Sequence, residues 1–178
     1  MKSLQNLDYR YLAIALGFGA FSTLIASWGE LGLMADTAPL LLPFAADDSA
    51  PLVILMAVLV APFVEELAKP IGLYFLQAEE KPCFTLQQWA FLGAMAGLGF
   101  AIVENFLYAG TLGAGGSEAA AQLMLLRFML PLHMMASAIS GYGFGLWMKT
   151  KDARYFIYCL FGAMLLHGLF NLAATVVG

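Results

Sequence analysis

The chain has 178 residues, of which 62% are apolar and 11% are charged, and its formal net charge is −4. Charged residues make up about a quarter of a soluble domain, so this composition excludes a soluble protein and predicts an integral membrane protein. A chain of this length has room for about five or six helical crossings of roughly 20 residues each. We therefore expect residues 1–178 to form a single membrane-embedded domain.

The apolar segments follow one another at residues 11–29, 51–77, 87–113, 121–148 and 155–177. A further apolar stretch at 37–46 has ten residues and two prolines. It is too short to cross about 30 Å as a helix, so we expect an outer loop that dips into the interface. No segment shows the alternating pattern of a membrane barrel strand. The predicted fold is all-α, a polytopic bundle of about five transmembrane helices plus this short interfacial segment.

Basic residues in the loops predict the orientation, because positively charged loops remain in the cytoplasm. The basic residues that flank the first, second, fourth and fifth segments are Lys2, Arg10, Lys81, Lys149, Lys151 and Arg154. The remaining loops carry acidic residues instead, and we assign Glu30 and Asp36 to one of them. The amino terminus is therefore predicted inside and the carboxyl terminus outside.

Three charged residues interrupt the second apolar segment. Lys69 follows Glu65 by four residues and Glu66 by three, so on a helix it can reach either carboxylate. A buried ion pair accounts for one glutamate only, and an unpaired buried carboxylate is costly. We therefore expect one glutamate to hold Lys69 and the other to be free for chemistry. Pro62 and Pro70 each remove a backbone donor, which predicts a bend around the acidic pair.

The other segments contribute Glu104, His133, His167 and Asn171, the last two one helical turn apart. Ionisable groups within a membrane are costly and usually mark a functional site. A rise of about 1.5 Å per residue predicts that both histidines lie with the glutamate pair near the bilayer midplane. The same estimate predicts that Glu104 lies somewhat closer to the outer face.

Two other features have structural interpretations. Arg127 lies about one turn inside the outer surface, where it either extends outward to the interface or pairs with an acidic group such as Glu104. Glycines four residues apart occur in the third and fourth segments, as Gly93 with Gly97 and Gly141 with Gly145. Such pairs let backbones approach closely, and we interpret both as packing within the bundle.

Glutamates, imidazoles and an amide in a dry pocket suit amide hydrolysis, in which a water loses a proton and an oxyanion is stabilised. Glutamate and histidine are also zinc ligands, and the candidate ligands are Glu65, Glu66, His133 and His167. The H-E-x-x-H helix of many metalloproteases is absent, so Zn²⁺ ligands would come from separate helices. A zinc mechanism and a metal-free mechanism require the same residue types, and the sequence leaves both open.

Four segments carry a resemblance to a known family. VEELAKP, GLGFAIVENFLY, LRFMLPLHMMASAISGYGFG and LLHGLFNL resemble, in the same order, the motifs of the PrsW family of intramembrane proteases. This family is related to the CAAX-processing and bacteriocin-processing membrane proteases. The resemblance extends from about Pro62 to Leu172, roughly two-thirds of the chain.

The resemblance implies that Glu65, Glu66 and His133 are catalytic and that three further residues complete the site, namely Glu104, His167 and Asn171. Lys69, Asn105 and Arg127 are expected to support that site. The implied activity is proteolysis of a membrane-anchored protein, in the family's named case an anti-sigma factor. It further implies a location in the bacterial cytoplasmic membrane, with the lipid bilayer and a protein substrate as partners and with no nucleic acid.

The resulting hypothesis is that Glu65 or Glu66 acts as general base on a water near the two histidines, while Asn171 or Lys69 stabilises the oxyanion. One alternative is a small transporter or channel, because buried glutamates and histidines also move protons and ions. Against it, the chain shows no internal repeat and no pair of unwound helices in matching halves. The other alternative is a structural subunit whose polar residues only join helices.

Overall fold

A computed structural model describes residues 7–41, 50–78, 84–112 and 131–177. These ranges are helical apart from short connections and contain no strand, which confirms the predicted all-α fold. In chain order the elements are α1 (Tyr9–Leu41), α2 (Ala50–Leu55), a π-helical turn (Met56–Val60), α3 (Ala61–Ala68), α4 (Ile71–Ala78), α5 (Leu86–Leu112), α6 (Leu132–Thr150) and α7 (Arg154–Val177).

Three of the described helices, α1, α5 and α7, are long and apolar enough to cross a membrane. Large apolar side chains such as Phe106 and Leu165 are exposed on their outer surfaces. Such a surface is stable in lipid but not in water, so the protein is an integral membrane protein. The predicted start of the fourth segment, near residue 121, lies outside the described ranges.

The first helix is longer than the apolar segment 11–29 predicts. It continues without interruption for 33 residues to Leu41, so Glu30 and Asp36 are helical and are not in a loop. The predicted interfacial loop at 37–46 is wrong for residues 37–41, and its remainder lies outside the described ranges. The residues between Glu30 and Pro39 are mostly good helix formers, and a single glycine costs a helix only about 1 kcal/mol. Pro39 lies two residues before the end of α1, so its missing N–H affects only the last turn.

The second apolar segment is interrupted twice. The π-helical turn immediately precedes the first turn of α3, which contains Pro62, and a turn at Lys69 and Pro70 separates α3 from α4. A proline provides no backbone N–H, so a regular hydrogen-bond ladder cannot pass through either position. Both positions interrupt the helix, whereas the predicted bend itself stays a prediction. The interruptions place the acidic pair on a short helix between two irregular turns.

Helix α5 lies at the centre of the bundle and runs parallel to α1. Gly19 packs directly against Ala96, and further along Thr23 Oγ1 donates to the carbonyl oxygen of Phe100 at 3.4 Å. From the first contact to the second, the residue numbers increase along both helices, so the helices are parallel. Side chains of α1 and α5 near Thr23 and Phe100 can therefore face a common space.

Helix α6 packs antiparallel to α5 through glycine. A Cβ on Gly93 would overlap the backbone of Ser137, and one on Gly97 would overlap the backbone of His133. Such close approach is the usual reason for small residues between membrane helices. The contact fixes the first turn of α6, and with it His133, against the middle of α5.

The second glycine pair also packs within the bundle, as predicted. A Cβ on Gly141 would lie 2.5 Å from the carbonyl oxygen of Trp89, and one on Gly145 would lie 2.6 Å from the Trp89 ring. On another face of α6, Gly143 approaches Cys159 of α7. Helix α6 is thus held between α5 and α7, and each of these two helices carries candidate site residues.

Candidate active site

Lys69 contacts both glutamates of α3. Its Nζ lies 3.2 Å from Glu65 Oε2 and 2.6 Å from Glu66 Oε1. The side chain is completely buried, and the ammonium also lies 4.3 Å from the centre of the Phe100 ring. The prediction that one glutamate holds Lys69 while the other is free of it is wrong. An ammonium has three donors, and spacings of three and four residues bring both carboxylates within its reach.

His133 joins α6 to α3 and α5. Its Nδ1 lies 2.9 Å from Lys69 Nζ, and its Nε2 lies 2.7 Å from Glu104 Oε2. A lysine ammonium can only donate, so Nδ1 accepts and Nε2 carries the ring hydrogen, on the side of the Glu104 carboxylate. Lys69 and Glu104 together determine the tautomer and the orientation of the His133 ring.

Glu104 contacts this cluster directly through the His133 ring, and its predicted position somewhat closer to the outer face stays a prediction. Side chains on a helix tilt toward its amino-terminal end. A long glutamate side chain on α5 therefore extends toward the Leu86 end of the helix. Its carboxylate therefore contacts His133 at a position nearer the amino-terminal end of α5 than the Glu104 backbone.

His167 joins α7 to the same cluster. Its Nδ1 lies 3.0 Å from Glu66 Oε1, and its ring centre lies 4.9 Å from that of His133. With Glu66 ionised, Nδ1 donates and Nε2 is left as an acceptor. Glu66 Oε1 thus accepts from both Lys69 and His167, whereas Glu66 Oε2 is buried without a hydrogen-bond partner among the described residues.

Asn171 binds the backbone of the π-helical turn. In that turn the N–H of Ala61 bonds to the carbonyl oxygen of Met56, five residues earlier, and Pro62 has no N–H to offer. The carbonyl oxygen of Ala57 therefore lacks its regular backbone donor. It accepts instead from Asn171 Nδ2 at 2.8 Å. The amide of α7 thus fixes the irregular turn that precedes the glutamates.

A cavity of about 530 Å³ lies beside this cluster, between α1, α3, α5, α7 and the π-helical turn. Of the two adjacent glutamates, Glu65 lines the cavity and Glu66 does not. The lining residues are Thr23, Ala26, Ser27, Glu30, Ala57, Ala61, Glu65, Phe100, Glu104, Leu107, Tyr108, Asn171, Ala174 and Thr175. Many of these side chains are small, which leaves room for a polypeptide segment beside the Glu65 carboxylate.

Glu30 lines this cavity, although its sequence context predicts a loop and no function. It follows Ser27 by three residues, Ala26 by four and Thr23 by seven, and all four line the cavity from one face of α1. A stripe of small and polar side chains on an otherwise apolar helix is the signal that identifies this residue.

Asn105 and Arg127 are the two remaining predicted residues. Asn105, next to Glu104 in sequence, is buried on α5. Arg127 lies outside the described residues, so its predicted outward extension or pairing with Glu104 stays a prediction.

Glu65, His133 and His167 form a group that could hold a metal ion, since each offers one ligand atom and these atoms lie within 4.8 Å of one another. The donor types suit zinc. Both nitrogens of His133 are engaged, however, and the Lys69 ammonium also contacts Glu65 Oε2. A divalent cation bound to these atoms would lie beside that ammonium and be repelled by it. The residues fit a metal by type, but not while a charged Lys69 occupies this position.

Comparison with known proteins gave one match, to a family model. The model of the family described as PrsW family intramembrane metalloprotease matches residues 8–178. No curated protein and no solved structure matches the chain. The family match covers α1 to α7, including every element that contributes to the Glu/His/Lys cluster. The chain belongs to the PrsW family of intramembrane metalloproteases.

Proposed function

We propose that this protein hydrolyses peptide bonds of membrane-anchored proteins, with Glu65 as the general base and residues 1–178 as one membrane-embedded protease domain. The observation that carries the assignment of the base is that Glu65 lines the cavity, whereas Glu66 is enclosed by Lys69 and His167. A general base must reach the water whose proton it accepts. Glu65 meets this condition from the cavity wall.

In the proposed reaction, Glu65 accepts a proton from a water as the water oxygen bonds to the scissile carbonyl carbon. The carbonyl π electrons move to the oxygen, which becomes an oxyanion. Glu65 then passes its proton to the amide nitrogen as the C–N bond breaks, which gives a carboxylic acid and an amine. Every proton is accounted for by the water and one carboxylate, so Glu65 serves first as base and then as acid.

Neighbouring groups assist this step. His167 Nε2 is a free acceptor in the tautomer that Glu66 selects, and it can accept a hydrogen bond from the attacking water. Asn171 Nδ2 has two hydrogens, of which one goes to Ala57, so the other can be donated to the oxyanion. The Lys69 ammonium provides a positive charge next to Glu65 while negative charge develops in the transition state.

A zinc-assisted form of the same hydrolysis is the second candidate, and the group formed by Glu65, His133 and His167 favours it. A zinc ion there would lower the pKa of a bound water. Its binding would require Lys69 to lose its proton or to move. We propose the metal-free form because Lys69 contacts Glu65, Glu66 and His133 at 3.2 Å or less.

The test compares purified wild-type protein with Glu65→Gln and His133→Ala in vesicles that contain solubilised membrane proteins. New amino termini are identified by mass spectrometry, and bound zinc is measured on the same samples. We expect new termini from the wild type alone and less than one equivalent of zinc. Cleavage that is unimpaired in both variants would contradict the proposed site, and activity that tracks one bound zinc would favour the second candidate.

The predicted orientation becomes a further proposal. If basic loops remain in the cytoplasm, the amino terminus of the chain is inside and its carboxyl terminus is outside. Cysteine labelling of engineered variants at the two ends with a membrane-impermeant reagent tests this. Labelling of the amino-terminal cysteine in intact cells would overturn the proposed orientation without affecting the proposed chemistry.

A further inference from the structure

Glu30 differs from the other acidic residues of the cavity because it has no partner in the described part of the chain. Glu65 contacts Lys69, and Glu104 contacts His133, whereas Glu30 forms neither a salt bridge nor a side-chain hydrogen bond among these residues. It is also only partly exposed, on a helix apolar enough to cross a membrane. A carboxylate in such surroundings is stabilised by a cation.

The cluster of Glu65, Glu66, Lys69, Glu104, His133 and His167 contains no cation that could pair with Glu30. Lys69 is the only lysine or arginine there, and its three donors are directed at Glu65, Glu66 and His133. Three carboxylates, those of Glu30, Glu65 and Glu104, line the cavity, and none of its lining residues is basic. Each of these carboxylates that is ionised makes the potential inside the cavity more negative, and a cation that enters from outside is attracted to it.

The shape of the cavity indicates what kind of cation enters. Its wall on α1 consists of Thr23, Ala26 and Ser27, and Glu30 follows them at the end of this stripe. A peptide segment that lies along these small side chains would have its backbone near Glu65 and a neighbouring side chain near Glu30. A lysine or arginine at that position would pair with Glu30 in a partly desolvated setting, where ion pairs are stronger than in water.

We propose that Glu30 forms a specificity subsite that binds a lysine or arginine side chain of the substrate close to the scissile bond. This inference rests on the proposed function. It adds a substrate class, namely membrane-anchored segments that carry a basic residue next to the cleaved bond.

The test uses a synthetic library of apolar peptides in which one randomised position carries Lys, Arg, Gln or Glu. Wild type, Glu30→Gln and Glu30→Lys are reconstituted in vesicles with this library, and cleavage sites are read by mass spectrometry. We expect Lys and Arg to be enriched at one fixed position by the wild type, with KM for those peptides raised about 10- to 100-fold in Glu30→Gln. Glu30→Lys should shift the preference at that position to Glu.

Asp36→Asn is the matched control, because Asp36 is an exposed acid on the same helix and does not line the cavity. It should keep the wild-type preference, and thermal unfolding should show all variants folded. Cleavage without Lys or Arg enrichment, or with the same enrichment in Glu30→Gln, would overturn the subsite and leave the protease intact. If the wild type cleaves no peptide, or Glu65→Gln cleaves as well as the wild type, the proposed function fails and the subsite fails with it.

Discussion

Two cavities flank the irregular second segment, and their walls differ in chemistry. The cavity toward α1 and α5 is lined by Glu30, Glu65, Glu104 and Asn171 among smaller side chains. The other, of about 600 Å³, is lined entirely by apolar residues and glycine, among them Val58, Phe63, Phe161 and Leu165. Ala57 of the π-helical turn lines the first cavity, and the next three residues line the second.

This difference indicates which side of the segment is functional. An apolar cavity at the surface of a membrane protein is filled by lipid at little cost, whereas carboxylates within a membrane are costly and are retained for a function. Helix α7 divides in the same way, since Asn171 faces the polar cavity and Gly168 faces the apolar one. Substitutions on the two sides should therefore have effects of very different size.

The largest effect is expected from Glu65→Gln. Loss of a general base typically lowers a rate by about 10²- to 10⁴-fold. The variant should remain folded, because Lys69 keeps its contact with Glu66 at 2.6 Å. Cleavage assays and thermal unfolding should be measured together. A Glu65→Gln protein that cleaves within tenfold of the wild-type rate would show that another group is the base.

Glu66→Gln is the matched comparison for that variant. Glu66 is enclosed by Lys69 and His167 and does not line the cavity, so its loss should lower stability more than Glu65→Gln does. Equal unfolding temperatures for the two variants would contradict the asymmetry between the two glutamates.

Next in size is Lys69→Met. Removal of one member of a buried ion pair costs about 3–5 kcal/mol, and this variant leaves Glu65 and Glu66 without their cation. We expect a lower unfolding temperature and loss of cleavage. Added zinc should not restore cleavage if the lysine itself is needed. Recovery of activity together with one bound zinc would show that a metal can take the place of the ammonium.

A smaller effect is expected from Asn171→Ala. The carbonyl oxygen of Ala57 would lose its side-chain donor, and an unpaired buried acceptor costs about 1–3 kcal/mol. Thr175→Ala is the control, because Thr175 lines the same cavity but bonds to Leu172 of its own helix. Denaturation in detergent should show a loss for Asn171→Ala only. Equal losses in both variants would mean that the π-helical turn does not depend on Asn171.

The smallest effect is expected in the apolar cavity. Leu165 is mostly exposed there, so Leu165→Ala should change stability by no more than about 0.5 kcal/mol and leave cleavage unchanged. Cleavage and thermal unfolding can be measured beside those of Glu65→Gln. A tenfold loss of cleavage would show that the apolar cavity also contacts the substrate, which would remove the contrast between the two sides.

Much of the fold could be predicted because apolar runs and prolines determine the local backbone structure of their own segment. The helical segments, the interruptions on either side of the glutamates and the packing of Gly93 with α6 follow from runs of apolar residues, missing backbone donors and missing side chains. The prediction that Glu30 lies in a loop is wrong for a related reason. A polar residue near the end of an apolar run resembles the start of a loop, and only the continuation of α1 to Leu41 shows otherwise.

The sequence by itself determined that the chain is a helical membrane protein with two histidines and several glutamates inside apolar segments. Only the tertiary structure decided how these groups pair. Lys69 joins both glutamates and His133, Glu104 reaches down to His133, and Asn171 takes the carbonyl of Ala57. The position of a residue along a helix determines which face of that helix its side chain occupies. Which partner it meets on another helix depends on the tilt of the side chain, on the close glycine contacts between helices and on the π-helical turn.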